Sequence, residues 1–171
     1  LMQTVPNFER IGDYATNMVE LAQRLQSENA AFSDMAKKEL ALITQAVNEI
    51  LEITVDAFSK DDNEAAKAIE PLEETIDDMI MMLKDRHTKR LKNGQCSIAS
   101  GLVFMEALTY FERASDQCSS IAVMMLARHN EQILQNHYEY LREIHAGNDV
   151  AYLAEKDRRR EQYIKPLKQI F

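Results

Sequence analysis

Apolar positions recur in steps of three and four along almost the whole chain, the spacing of one helix face. From Pro6 to Gln26 the stripe is Phe8, Ile11, Ala15, Val19, Ala22 and Leu25. Ser27 to Phe32 is small or polar and reads as a connection. Ser33 is a good N-cap, and the helix it opens carries Leu40, Ile43, Val47, Ile50, Thr54 and Ala57 as a bundle seam. Lys60 to Asn63 is the turn. The third helix spans Glu64 to Leu91, with Ile69, Leu72, Ile76, Met79 and Leu83 inward and a kink expected at Pro71. Asn93-Gly94 stops it. Ser97 caps a fourth helix reaching Ala127, with Phe104, Ala107, Phe111, Ala114, Cys118, Ala122 and Met125 inward. A break over Arg128 to Gln132 precedes a short helix from Asn136 to Ala146. A charged helix from Asp149 to Lys165 follows, and Pro166 should bend or end it.

The pattern predicts an all-α, antiparallel helical bundle, a single domain over 1–171. Residues 33–127 form a three-helix unit, and 133–171 a C-terminal helical extension. Residues 1–27 read as the last helix of a truncated first bundle. Such a helix must bury its stripe, on a second copy in a homodimer or on its own bundle. Composition agrees: of 171 residues only 4 are Gly and 3 Pro, which favours long helices over sheet. The net charge of −8 argues against a general nucleic-acid partner. No apolar run is long enough to span a membrane. Cys96 and Cys118 have no metal-type spacing and read as reduced thiols.

The candidate chemistry lies in a stretch used twice. Phe8-Glu9-Arg10-Ile11-Gly12-Asp13 returns 103 positions later as Phe111-Glu112-Arg113-Ala114-Ser115-Asp116. Each copy sets two carboxylates one helical turn apart, and Glu73/Asp77 repeats that spacing on the third helix. Like charges so placed weaken an isolated helix by roughly 0.2–0.5 kcal/mol. All three pairs flank an apolar stripe, so those on neighbouring helices can converge. Four converging carboxylates either hold multivalent cations or form a solvated acidic stripe, with Arg10 and Arg113 pairing locally. None of His87, His129, His137 and His145 follows a Glu by three residues, so the Glu-x-x-His element of ferritin-like di-iron sites is absent. No nucleophilic triad or phosphate-cradling glycine loop stands out, so the chain reads as a non-enzyme.

The two copies, the first with Asn17, resemble the repeated E-R-I-G/A-D-H-x-x-N-I signature of PhoU-type domains. Glu73-Glu74-Thr75-Ile76-Asp77 is similar to that family's D-x-x-V-D element. Gln95-Cys96-Ser97 and the tail segments His137 to Leu141 and Tyr163 to Pro166 resemble the version fused to the C-terminus of bacterial sodium/phosphate cotransporters. The resemblance implies tandem three-helix bundles whose acidic motifs bind metal clusters. Here the ligands would be Glu73, Asp77, Glu112 and Asp116. Glu9 and Asp13 would form a further site whose facing helix lies upstream of Leu1. The metal would be Fe, Zn or another multivalent cation. It further implies a place on the cytoplasmic side of the bacterial membrane, as a regulatory domain. The partner would be a membrane transporter domain upstream in the same chain. The signature's His is Tyr14 in one copy and Gln117 in the other, and the second copy's Asn is Ser120. The competing reading is a metal-free helical adaptor acting through protein contacts.

Overall fold

A computed structural model describes residues 3–128, 130, 133, 135–147 and 149–170. Among them the chain is helical, with no strand: α1 (Val5–Ser27), α2 (Asp34–Lys60), α3 (Asn63–Lys67), α4 (Ile69–Lys92), α5 (Ile98–Ala127), α6 (His137–His145) and α7 (Val150–Lys168). The starts follow local capping. Ser33 Oγ accepts from the Ala36 amide, Ser97 Oγ from Ser100, and Asn136 Oδ1 from Glu139. Gly94 just past α4 takes the left-handed conformation, φ +66°.

Two helix boundaries differ from the sequence expectation, both at prolines. The expected kinked helix from Glu64 is instead two helices, parted at Ala68. A proline ring clashes with the carbonyl four residues back, here Lys67, where α3 ends. Pro71 then sits in the first turn of α4, where its missing N–H costs nothing. Pro166 does not end α7, which runs on past it to Lys168. Burial of Ile164 and Leu167 on either side of it holds that last turn in place.

Helices α2, α4 and α5 form the three-helix unit, and α4 runs antiparallel to both neighbours. Its fully buried interior includes Ile43, Ile50, Leu72, Ile76, Met79, Leu83, Leu108 and Met125. The C-terminal helix covers a side of this unit. It lies along α4 and touches α2, burying Tyr163, Ile164 and Leu167 in the same core. On the far side α1 packs antiparallel on α5, with Leu21 against Val103 and Ala107 and Phe8 edge-on to Phe58. Thus α1 buries its stripe on its own bundle. Leu21→Ala is expected to loosen α1 alone, at about 2–3 kcal/mol. Hydrogen exchange should quicken over Val5–Ser27 while α2, α4 and α5 stay protected.

The α1–α5 contact has an internal symmetry. Asn7 Nδ2 donates to Gln117 Oε1 at 3.0 Å, and the Tyr14 and Tyr110 rings stack with centroids 6.1 Å apart. Moving by the 103-residue repeat turns Asn7 into Tyr110 and Tyr14 into Gln117. The two contacts therefore exchange under a local two-fold axis between the helices. Tyr14 and Gln117, the two departures from the signature's His, each take part in one of these contacts, Tyr14 with Tyr110 and Gln117 with Asn7.

Candidate metal centre

The antiparallel packing of α4 on α5 sets the second repeat beside the middle-helix acids. Glu73 and Asp77 are one turn apart on α4, and Asp116 comes from α5. One oxygen of each lies within 4.8 Å of one oxygen of both others. Glu73 is the most deeply set, while Asp77 and Asp116 are open to solvent. None of the three is in an ion pair with a described residue. The protein raises the proton affinity of all three. Burial, then the charges of Glu70, Asp77, Asp116 and Glu74, lift the Glu73 carboxyl from 4.5 to about 9. Burial and the neighbouring Asp116 and Glu112 bring Asp77 to about 6. Asp116 is raised by burial and Glu112, against a hydrogen bond with Glu73 that lowers it. At neutral pH the metal-free cluster therefore keeps a proton on Glu73, shared with Asp116.

That proton has a consequence for stability. A carboxyl whose affinity for protons rises on folding stabilises the fold fully only below its unfolded pKa, near 4.5 for Glu73. The contribution disappears as pH climbs through about 9. The metal-free protein is expected to lose thermal stability between about pH 5 and 9, and Glu73→Gln to flatten that slope. Melting curves at a series of pH values, run with a chelator, check this. A wild-type profile no steeper than the variant's would contradict it.

The fourth expected ligand is occupied. Lys84 Nζ, on α4, bonds Glu112 Oε2 at 2.6 Å, both side chains about one third exposed. Glu112 adds negative charge to the cluster without joining its closest group. The first-repeat pair is elsewhere: Glu9 and Asp13 are exposed on α1 and pair with no described residue. The spacing argument therefore brings together Glu73, Asp77 and Asp116, and leaves Glu112, Glu9 and Asp13 apart. Among the histidines, His129 lies outside the described residues, as does the His137 side chain.

A second acidic row went unrecognised in the sequence. Glu70, Glu74 and Asp78 are spaced four apart on the α4 face turned to the C-terminal helices. Glu70 Oε2 accepts from Ser119 at 2.5 Å, and its Oε1 lies 2.8 Å from His145 Nε2. Glu74 takes Lys156 and the Tyr152 hydroxyl, and Asp78 pairs with Arg160. Burial opposes ionisation of Glu74, but those two hydrogen bonds together with the charges of His145 and Lys156 outweigh it and hold the carboxyl below its ordinary value. The signal for this row was present: Lys156 and Arg160, also four apart, match Glu74 and Asp78. Next to it, a cavity of about 680 Å³ opens between α3, the end of α5, α6 and α7. It touches Glu70 but none of the three clustered carboxylates.

The donor set at Glu73, Asp77 and Asp116 is oxygen only. Such a set suits hard cations, and bridging carboxylates also suit Fe or Mn. Three unpaired carboxylates, one forced to hold a proton, fit a multivalent cation that would take that proton's place. Neither cysteine belongs to this group, and Cys118 is buried, which pushes its thiol up to about 11.

The family model for the PhoU domain matches residues 40–125, which contain all three of these carboxylates and Glu112. Among curated proteins, the chain is similar to the phosphate-specific transport system accessory protein PhoU homolog 1 of Thermotoga maritima. The two are 23% identical over 145 residues, 85% of this chain and 60% of that protein. The chain thus spans only part of the length of the curated relative it matches. No solved structure matches.

Proposed function

The chain belongs to the PhoU domain family, and on that premise we propose that it regulates phosphate transport, with its acidic cluster as a site for a multivalent cation. The observation that carries the metal reading is the convergence of Glu73, Asp77 and Asp116 without a basic partner. The transport reading rests on the family and on the name of the Thermotoga relative. In the finer form of this proposal the chain is the regulatory domain of a sodium/phosphate cotransporter. It works at the cytoplasmic side of the membrane, on a transporter domain upstream in the same polypeptide. No described helix is long and apolar enough to cross a membrane itself. The resemblance of Gln95 to Ser97 and of the tail to the cotransporter-fused version supports that placement. A homodimer through α1 is compatible with it, since Val5 and Val19 stay half exposed on that helix.

Within this reading the residues divide by task. Glu73, Asp77 and Asp116 would hold the cation, which supplies counter-charge for the cluster. Lys84 holds Glu112 in an ion pair beside it. The Tyr14–Tyr110 and Asn7–Gln117 contacts fix α1 on α5, so that Glu9 and Asp13 present the equivalent pair on a separate face.

A metal-free adaptor is the second reading, and the Lys84–Glu112 ion pair favours it, because it spends one of the four acids on an internal partner. Calorimetric titration of the purified chain with Zn²⁺, and with Fe²⁺ under exclusion of oxygen, tests the first reading. Saturable binding that releases protons and tightens as pH rises from about 6 to 9 is expected. Absence of binding at pH 8 would leave the adaptor.

A further inference from the structure

We propose that the end of the bundle opposite His145 holds a single monovalent anion of the halide class, between the close of α4 and the start of α5. The site begins with an imbalance of buried charge. Glu39 of α2 is fully buried and faces two guanidinium groups, Arg90 Nη1 at 2.7 Å and Arg86 Nη1 at 3.2 Å. Arg90 is itself only 6% exposed and lies over the Phe104 ring, 5.1 Å from its centroid. Arg86 reaches solvent at the edge of this cluster and also donates to the Ile170 carbonyl, whereas Arg90 is buried. Two cations against one carboxylate leave the cluster with a net positive charge, and a buried guanidinium is costly unless its N–H groups are paired.

The donors are unpartnered as well. The Arg90–Glu39 contact is close but too poorly angled to count as a hydrogen bond, and Arg90 Nη2 has no acceptor at all. His87 is 2% exposed, stacks on Phe104, and its Nε2 has no partner either. Burial, and then the neighbouring Arg90, lower the proton affinity of His87, and in the Nε2–H tautomer this ring nitrogen is a donor without an acceptor. Its ring is pressed to α5 because residue 101 is Gly; a Cβ there would sit 3.1 Å from Nε2.

Both side chains line a cavity of about 10 Å³, together with Ala36, Phe104 and Ser100. That is room for roughly one water-sized ligand. Ser97 and Ser100 are the N-cap and first turn of α5, so the partial positive charge of that helix end points the same way. A halide accepts several N–H bonds at once and cancels the surplus charge. Water meets the donors but leaves the charge. Tetrahedral oxyanions are too large.

Crystals of the full chain grown in sodium bromide test this by anomalous scattering. The expected result is a bromide peak within hydrogen-bond reach of Arg90 and His87 Nε2. In solution, Tm in sodium chloride should exceed that in sodium gluconate or inorganic phosphate at matched ionic strength by about 3 °C. Ala36→Val, which fills the cavity and keeps every charge, should abolish the difference. His87→Leu, which removes one donor, should shrink it and serves if the valine variant does not fold. A peak without anomalous signal, meaning water, would overturn the proposal. So would equal melting in chloride and gluconate, or a shift specific to phosphate. None of these outcomes depends on cation binding at Glu73, so this site and the metal centre stand or fall separately.

Discussion

Glu73→Gln combined with Asp116→Asn is expected to lower multivalent-cation affinity by more than about 100-fold, beyond the roughly 10–100-fold that an outer-shell loss costs. The substitutions keep shape and remove two of the three converging charges. Helix content should not change, since both residues sit on the flank of α4 and α5 rather than in their core. Glu112→Gln should act far more weakly, because Lys84 already balances that carboxylate. Calorimetry for binding, with circular dichroism for the fold, reads all three effects. An unchanged affinity in the double variant would mean that the acids are only a solvated face.

The largest effect on stability is expected from Glu39→Ala. It removes the one buried carboxylate shared by Arg86 and Arg90 and leaves Arg90 buried without a counter-charge on the chain. Breaking one partner out of a buried ion cluster costs about 3–5 kcal/mol. Urea denaturation should show a lower midpoint at unchanged slope. Converting all three residues to apolar ones of similar volume should recover much of the loss, because no charge then remains to be desolvated.

The triad also marks the limit of what the sequence discloses. Glu39 precedes Leu40 on the apolar seam, and nothing in its neighbourhood in the sequence marks it as buried. Its burial depends on two arginines about fifty residues away, which no local pattern encodes. Helix existence was legible for the opposite reason: Ser33, Ser97 and Asn136 cap through bonds that close within three residues. The convergence of Glu73 and Asp77 with Asp116 was legible because a one-turn spacing beside an apolar stripe fixes which neighbour the pair faces. The loss of Glu112 to Lys84 was not, since it follows from the sliding register of α4 against α5. The side covered by α7 was open for a related reason. Its many charges suggest exposure, yet Lys156 and Arg160 are spent on α4 and Arg159 on Glu49.

The placement of α7 has a kinetic consequence. Arg159 and Tyr163 reach Glu49 across 110 and 114 residues of chain. Contacts of such span raise the contact order of an otherwise fast-folding helical architecture. During synthesis α2, α4 and α5 can assemble first, while the groove later filled by Tyr163, Ile164 and Leu167 is still open. Until residues 150–168 emerge, the nascent chain carries an apolar furrow edged by Glu70, Glu74 and Asp78. Those like charges repel one another along the rim and discourage two unfinished chains from pairing there, before the basic helix arrives to close it.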